Sequence, residues 1–191
     1  MPDQAADSST SDLVIGRDVP WVTSWSGEAQ SGVSRCPSVD GQLAIGQAEK
    51  PGAGEPLYAR SHLFRQRRTV REMLCPMCGK PTPEDDRWSQ TAQMVDAGQL
   101  RARGFGAALP REMEGSQALM DCGTLAPLHR ACAENSHSRC PHIGGLADQN
   151  LAAFPRGWII VPLWVEARPP GVSASSVPVV SFLQLLGVMD A

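Results

Sequence analysis

Leu74-Cys75-Pro76-Met77-Cys78-Gly79-Lys80, followed well downstream by Pro127-Leu128-His129-Arg130-Ala131-Cys132-Ala133, is the pair of stretches that decides how this chain is read. The first is a Cys-x-x-Cys knuckle, in which Gly79 suits a turn that disfavours a Cβ. The second is a His-x-x-Cys pair on what the pattern predicts to be the first turn of a helix. Residues at i and i+3 share a helix face, so His129 and Cys132 can grip one ion. Two thiolates from a turn and an imidazole plus a thiolate from a helix start make the four-ligand set of tetrahedral Zn2+. Four protein ligands close the coordination sphere, which marks such a site as structural rather than catalytic. Other uses of these residues are a redox pair, ordinary buried thiols and a core histidine. The redox reading lacks the βαβ pattern that surrounds such pairs.

Working outward, the order of knuckle, connecting segment and helix start is that of a treble clef. Ser61 to Leu74 places Leu63, Gln66, Val70, Met73 and Leu74 mainly along one face, which predicts a helix with Ser61 as N-cap. Leu128 to Arg139 is predicted as the ligand-bearing helix. Before these lie short apolar runs, Leu13–Ile15, Trp21–Thr23, Gln42–Ile45 and Leu57–Ala59, separated by Gly, Pro and Ser clusters, which reads as a meander of short strands. Residues 88–95 suit a strand or a short helix, and 97–114 a loop or hairpin. Trp158 to Val165 reads as a buried strand whose proline points to a sheet edge, and Pro178 to Met189 as a terminal helix or strand. The expected class is α+β: a disordered tail over 1–12, a β-rich region over 13–60, a treble-clef-like zinc module over 61–145, and a C-terminal strand and short terminal element over 146–191 that pack on the β-rich region.

With 191 residues and 42% hydrophobic content the chain can bury a real core. Its net charge of −3 sets up no global field toward nucleic acid or an anionic membrane. The first residues carry neither a basic nor an apolar leader segment, and the longest apolar run is far short of a membrane-spanning helix. A reduced, cytoplasmic setting is therefore expected, in which cysteines at this spacing bind metal rather than pair as disulfides.

Three further soft side chains, Cys122, Cys140 and His142, flank the predicted ligand helix. They read as a second metal site with Cys36 as a remote fourth ligand, as a thiol nucleophile activated by His142 or His137, or as packed thiols, one of which replaces His129 as a ligand. Cys36 by itself reads as a core or surface thiol. Arg65, Arg67, Arg68 and Arg71, with Arg60, form a basic stretch that can meet phosphate. The competing reading is a solvated helix face on which Glu72 pairs with Arg68 at i,i+4. Trp21 and Trp25 read as core packing or as the lining of an aromatic pocket.

Taken together, Arg65-Gln66-Arg67-Arg68, the knuckle, Pro127 to Ala133, Arg139-Cys140-Pro141-His142 and the opening Val19 to Glu28 resemble a group of actinobacterial and actinophage zinc-binding proteins. Their pattern is Cys-x-x-Cys-Gly, then Cys/His-x-x-Cys-Ala, then Cys-Pro-His or Cys-Pro-Phe. The resemblance spans roughly 19–145. It implies bound zinc and makes Cys140 part of the pattern, but it implies no particular activity.

The sequence carries no Ser-His-Asp signature, phosphate-binding loop or dinucleotide fingerprint. A zinc-stapled His-Asn-His nuclease would need a histidine between Cys78 and His129, and there is none. The expected function is that of a zinc-stabilised module contacting protein or nucleic acid. The alternative is a small enzyme built on Cys122, Cys140 and His142.

Overall fold

The computed structural model describes residues 12–139, 151–168 and 176–190. The predicted disordered tail falls outside them except for its last residue. The fold is α+β: ten strands, three α-helices, two 3-10 turns and a π-helical turn among the described residues.

A six-stranded sheet forms the centre. Its members are β2 (Gln30–Arg35), β3 (Leu43–Gln47), β6 (Gln93–Asp96), β7 (Ala118–Asp121), β9 (Gly157–Ala167) and β10 (Val177–Val188). β10 is the hub. It pairs with β9 along its whole length on one side. On its other side it meets β3 in parallel at Val180 and β7 in antiparallel from Leu186 to Val188. Two small sheets complete the set, β1 (Thr23–Trp25) with β4 (Pro56–Ser61) and β5 (Trp88–Ser89) with β8 (Ala152–Ala153).

The terminal segment is thus a strand, and its apolar run has a simple origin. Both faces of β10 are covered, so both sets of alternating side chains are apolar. Leu185 and Met120 face a core shared with Val70 and Met73 of helix α1 (Leu63–Glu72). Their chain neighbours Leu186 and Leu119 face the opposite core, with Ala97 and Leu100 of the short helix α2 (Ala97–Leu100).

On the side away from β9, β10 has no strand partner between its contacts with β3 and β7, and α1 fills the gap with side chains. Gln66 accepts from the Leu183 N–H (3.0 Å) and donates to the Leu183 carbonyl (2.7 Å), while Arg67 Nη1 donates to the Ser181 carbonyl (2.8 Å). Because both Leu183 backbone groups point toward α1, Leu183 and its partner Pro162 on β9 form a non-hydrogen-bonded pair. The proline nitrogen therefore faces away from β10 and removes no ladder bond. β9 has no second strand partner among the described residues, so Pro162 does sit on an edge.

Several local expectations are corrected. The N-cap of α1 is His62, not Ser61: its Nδ1 accepts from the Arg65 N–H at 3.3 Å. Residues 97–108 form helical turns rather than a loop or hairpin, started by Asp96, whose carboxylate caps the Gln99 N–H at 2.7 Å. The run at Leu13–Ile15 makes only an isolated bridge, Ile15 to Val19, rather than a strand. β2 had no apolar alternation to announce it, because nearly all of its residues are exposed.

Candidate metal centre

The knuckle forms as its spacing requires. The Cys75 N–H donates to the Lys80 carbonyl and the Gly79 N–H to the Cys75 carbonyl, each at 2.8 Å. Gly79 has φ +74, and a Cβ there would lie 2.8 Å from the Trp21 ring. Both facts demand glycine. The opposite half is helix α3 (Arg130–Arg139), which begins two residues later than the pattern suggested. His129 immediately precedes it and accepts the first helical bond, from Ala133 at 2.9 Å. The next orphan donor, the Arg130 N–H, is satisfied by Asp86 at 2.7 Å. Asp86 lies far from α3 in sequence, so no local capping signal exposed it.

These elements bring Cys75, Cys78, His129 and Cys132 together with all four ligand atoms within 4.8 Å of one another. The Cys78 and Cys132 sulfurs lie 3.4 and 3.8 Å from His129 Nδ1. A tetrahedral ion with metal–sulfur and metal–nitrogen bonds of about 2.3 and 2.1 Å would space such ligands about 3.6 Å apart. His129 Nε2 donates to the Pro81 carbonyl at 3.0 Å, which leaves Nδ1 as the free electron pair facing the sulfurs. The group can therefore hold one metal ion.

The electrostatics agree. Burial raises the Cys75 thiol above its ordinary pKa, against the lowering effect of backbone N–H groups of Cys78 and His129. Burial and then the Cys75 and Cys78 sulfurs push Cys132 up to about 12. Three sulfurs this close are unfavourable neighbours as anions until a cation joins them.

A strap from the N-terminal side ties into the centre. The Trp21 and Val22 N–H groups donate to the Met77 and Pro76 carbonyls (2.8 and 3.0 Å), and Gly16 packs on the Cys78 backbone. Trp21 lies over Gly79 with Arg68 above its ring, whereas Trp25 is buried core. The two indoles serve separate places.

Cys122 and Cys36 do not join this group. Cys122 is 2% exposed. Its thiol is pushed up to about 11, by burial first and then by the Asp121 carboxylate, which is the opposite of nucleophile activation. Cys140 and His142 lie outside the described residues, as does the side chain of His137. Cys36 is buried in the main core, away from the knuckle.

The arginine stretch is corrected as a basic face. Arg65 and Arg67 are each 1% exposed. Arg65 makes a two-pronged ion pair with buried Glu28 (2.7 and 2.8 Å), and Glu28 also accepts from the backbone N–H groups of Trp25 and Lys50. Buried His62 completes this cluster, donating through Nε2 to the Ala48 carbonyl at 3.1 Å. Arg68 pairs with Glu72 at i,i+4 as expected, and Arg71 with Asp40. No sequence motif signalled the Glu28–Arg65–His62 network, because Glu28 comes to the start of α1 from a segment far away in the chain.

No protein-family model matches the chain, and neither the curated proteins nor the solved structures compared with it give a significant match.

Proposed function

We propose that the protein is a zinc-stabilised interaction module, in which Zn2+ bound by Cys75, Cys78, His129 and Cys132 holds a treble-clef-like junction and the folded surface contacts a protein partner. The observation that carries this reading is the convergence of the four ligand atoms within 4.8 Å. Zinc is favoured over other ions by a mixed thiolate and imidazole set of four. The resemblance to actinobacterial and actinophage zinc-binding proteins supports the same choice. A filled coordination sphere leaves no open position for a substrate, which favours binding over catalysis at this centre. Protein is favoured over nucleic acid as partner because two of the four arginines are spent inside the fold and the other two are paired with carboxylates.

Elemental analysis of purified native protein tests the metal, with about one zinc per chain expected from a single closed site. Cys132→Ser should lose that zinc and melt at lower temperature, since metal binding and folding are coupled. Native protein without zinc, or a Cys132→Ser variant that melts like its parent, overturns the reading.

A further inference from the structure

Two arginines of α1 are buried to the same degree, yet only one has a counter-charge. Arg65 has Glu28. Arg67 has the Ser181 and Ile45 carbonyls (2.8 and 2.9 Å) and the Cys36 sulfur, 3.8 Å from Nη2. Its Nε has no acceptor, and no carboxylate lies within ion-pair distance of it among the described residues. Carbonyl dipoles satisfy N–H groups but do not neutralise a buried charge, which is costly to keep unpaired. Burial accordingly pulls the Arg67 guanidinium below its ordinary pKa, and the Cys36 sulfur is what opposes that.

Cys36 and Arg67 border a cavity of about 310 Å³ between β2, β3 and α1. Ala44 and Phe64 line it, and exposed Arg35 and Glu49 flank it. The Cys36 sulfur also lies 3.1 Å from the Ser38 hydroxyl. A thiol beside a guanidinium that lacks an anion, on a cavity with room for a small molecule, is a place where gaining a negative charge is favourable.

We propose that Cys36 is an oxidation site for small hydroperoxides, and that Arg67 is the positioning residue that holds the oxygenated sulfur. In the first step the sulfur attacks a peroxide oxygen. An S–O bond forms and the O–O bond breaks. The sulfur gives up two electrons, and the thiol proton leaves with the second oxygen as water or alcohol, giving the sulfenic acid. A second equivalent adds another oxygen in the same way and gives the sulfinate, a full negative charge within reach of Arg67. Cys122, in the same core but without an adjacent cation among the described residues, should resist the reaction. The proposal does not depend on the metal centre.

The test compares oxidation of zinc-loaded native protein by hydrogen peroxide with that of the same chain unfolded in urea. Oxygen addition is read peptide by peptide by mass spectrometry. Cys36 should oxidise faster folded than unfolded, and Cys122 slower. Slower oxidation of Cys36 in the folded protein overturns the proposal without any variant. Arg67→Met, if its circular dichroism and zinc content match the parent, should bring the folded rate at Cys36 below that of the unfolded chain. A rate equal to the parent's overturns the proposal as well.

Discussion

Gln66 holds both backbone groups of Leu183, donating to its carbonyl at 2.7 Å and accepting from its N–H at 3.0 Å. A side chain thus takes the place of a strand, in the interval of β10 between its contacts with β3 and β7. Gln66→Ala removes the donor and the acceptor together and leaves three backbone groups without this partner, the Leu183 N–H and carbonyl and the Thr124 carbonyl. The expected loss of stability is about 3 kcal/mol. Urea denaturation measures it as a lower midpoint at unchanged slope. A loss under about 1 kcal/mol would show that water or a local shift replaces the amide.

With zinc bound as proposed, its removal should loosen the strap that covers the centre. Trp21 packs on Gly79 and is bonded through its backbone to Met77, so its environment depends on the knuckle. A strong chelator is expected to lower the melting temperature and shift the tryptophan emission, and added zinc should restore both. Unchanged emission and melting after confirmed zinc removal would mean that the metal does not support the fold.

Acid should weaken the protein through His62 before it acts through Glu28. Burial holds the His62 imidazole below its ordinary pKa, aided by Arg65 and opposed by the hydrogen bond to Ala48. The unfolded chain takes up a proton near pH 6.5, whereas folded His62 does so only at lower pH. The unfolded state therefore binds more protons in this window, so stability rises with pH there and falls as pH drops below about 6.5. Burial pushes the Glu28 carboxyl up, but Arg65 and the Trp25 and Lys50 N–H groups outweigh it, so its pKa lies below the ordinary 4.5 and its contribution is lost only in stronger acid. Denaturation midpoints between pH 8 and 5 should fall less steeply for His62→Gln than for the parent. Equal slopes would remove His62 from this account.

Nucleic-acid binding should be weak and should not involve Arg65 or Arg67. Arg68→Ala with Arg71→Ala is the fair test, since these two side chains reach solvent. Duplex and single-strand binding at two salt concentrations is expected to give weak association. Tight, steeply salt-dependent binding that this double variant abolishes would restore a nucleic-acid role.

The Cys/His group was legible in the sequence because its geometry is local. A Cys-x-x-Cys turn and a His-x-x-Cys helix start each pre-form half of the set, and the fold has only to bring two halves together. The fate of the arginines was not legible, because helix periodicity shows which residues share a face but not what that face meets. Arg65 is buried because Glu28 comes to it from a distant loop, and Arg67 because the Ser181 carbonyl of β10 and the Ile45 carbonyl of β3 accept from it. Gln66 was expected on the apolar face, yet its role depends on a gap in a strand more than a hundred residues away. Pro162 could be read as an edge marker because proline's missing donor restricts it wherever it occurs. The ambiguity over residues 178–189 came from burial on two faces, which erases the alternation that distinguishes strand from helix.

Pro162 also bears on what happens when many copies of the chain are crowded together. β9 offers eleven residues of strand, with Trp158, Trp164 and Val165 exposed along it and Trp164 at 50%. An apolar edge of that length is a template on which a neighbouring molecule can add a strand and begin a fibre. The outward-facing proline nitrogen withholds a donor near the middle of that template, so a run of continuous pairing cannot form across it. Pro162→Val would keep every bond to β10 and supply the missing N–H. Such a variant should fold as well as its parent and yet aggregate at concentrations the parent tolerates, which light scattering during concentration would reveal.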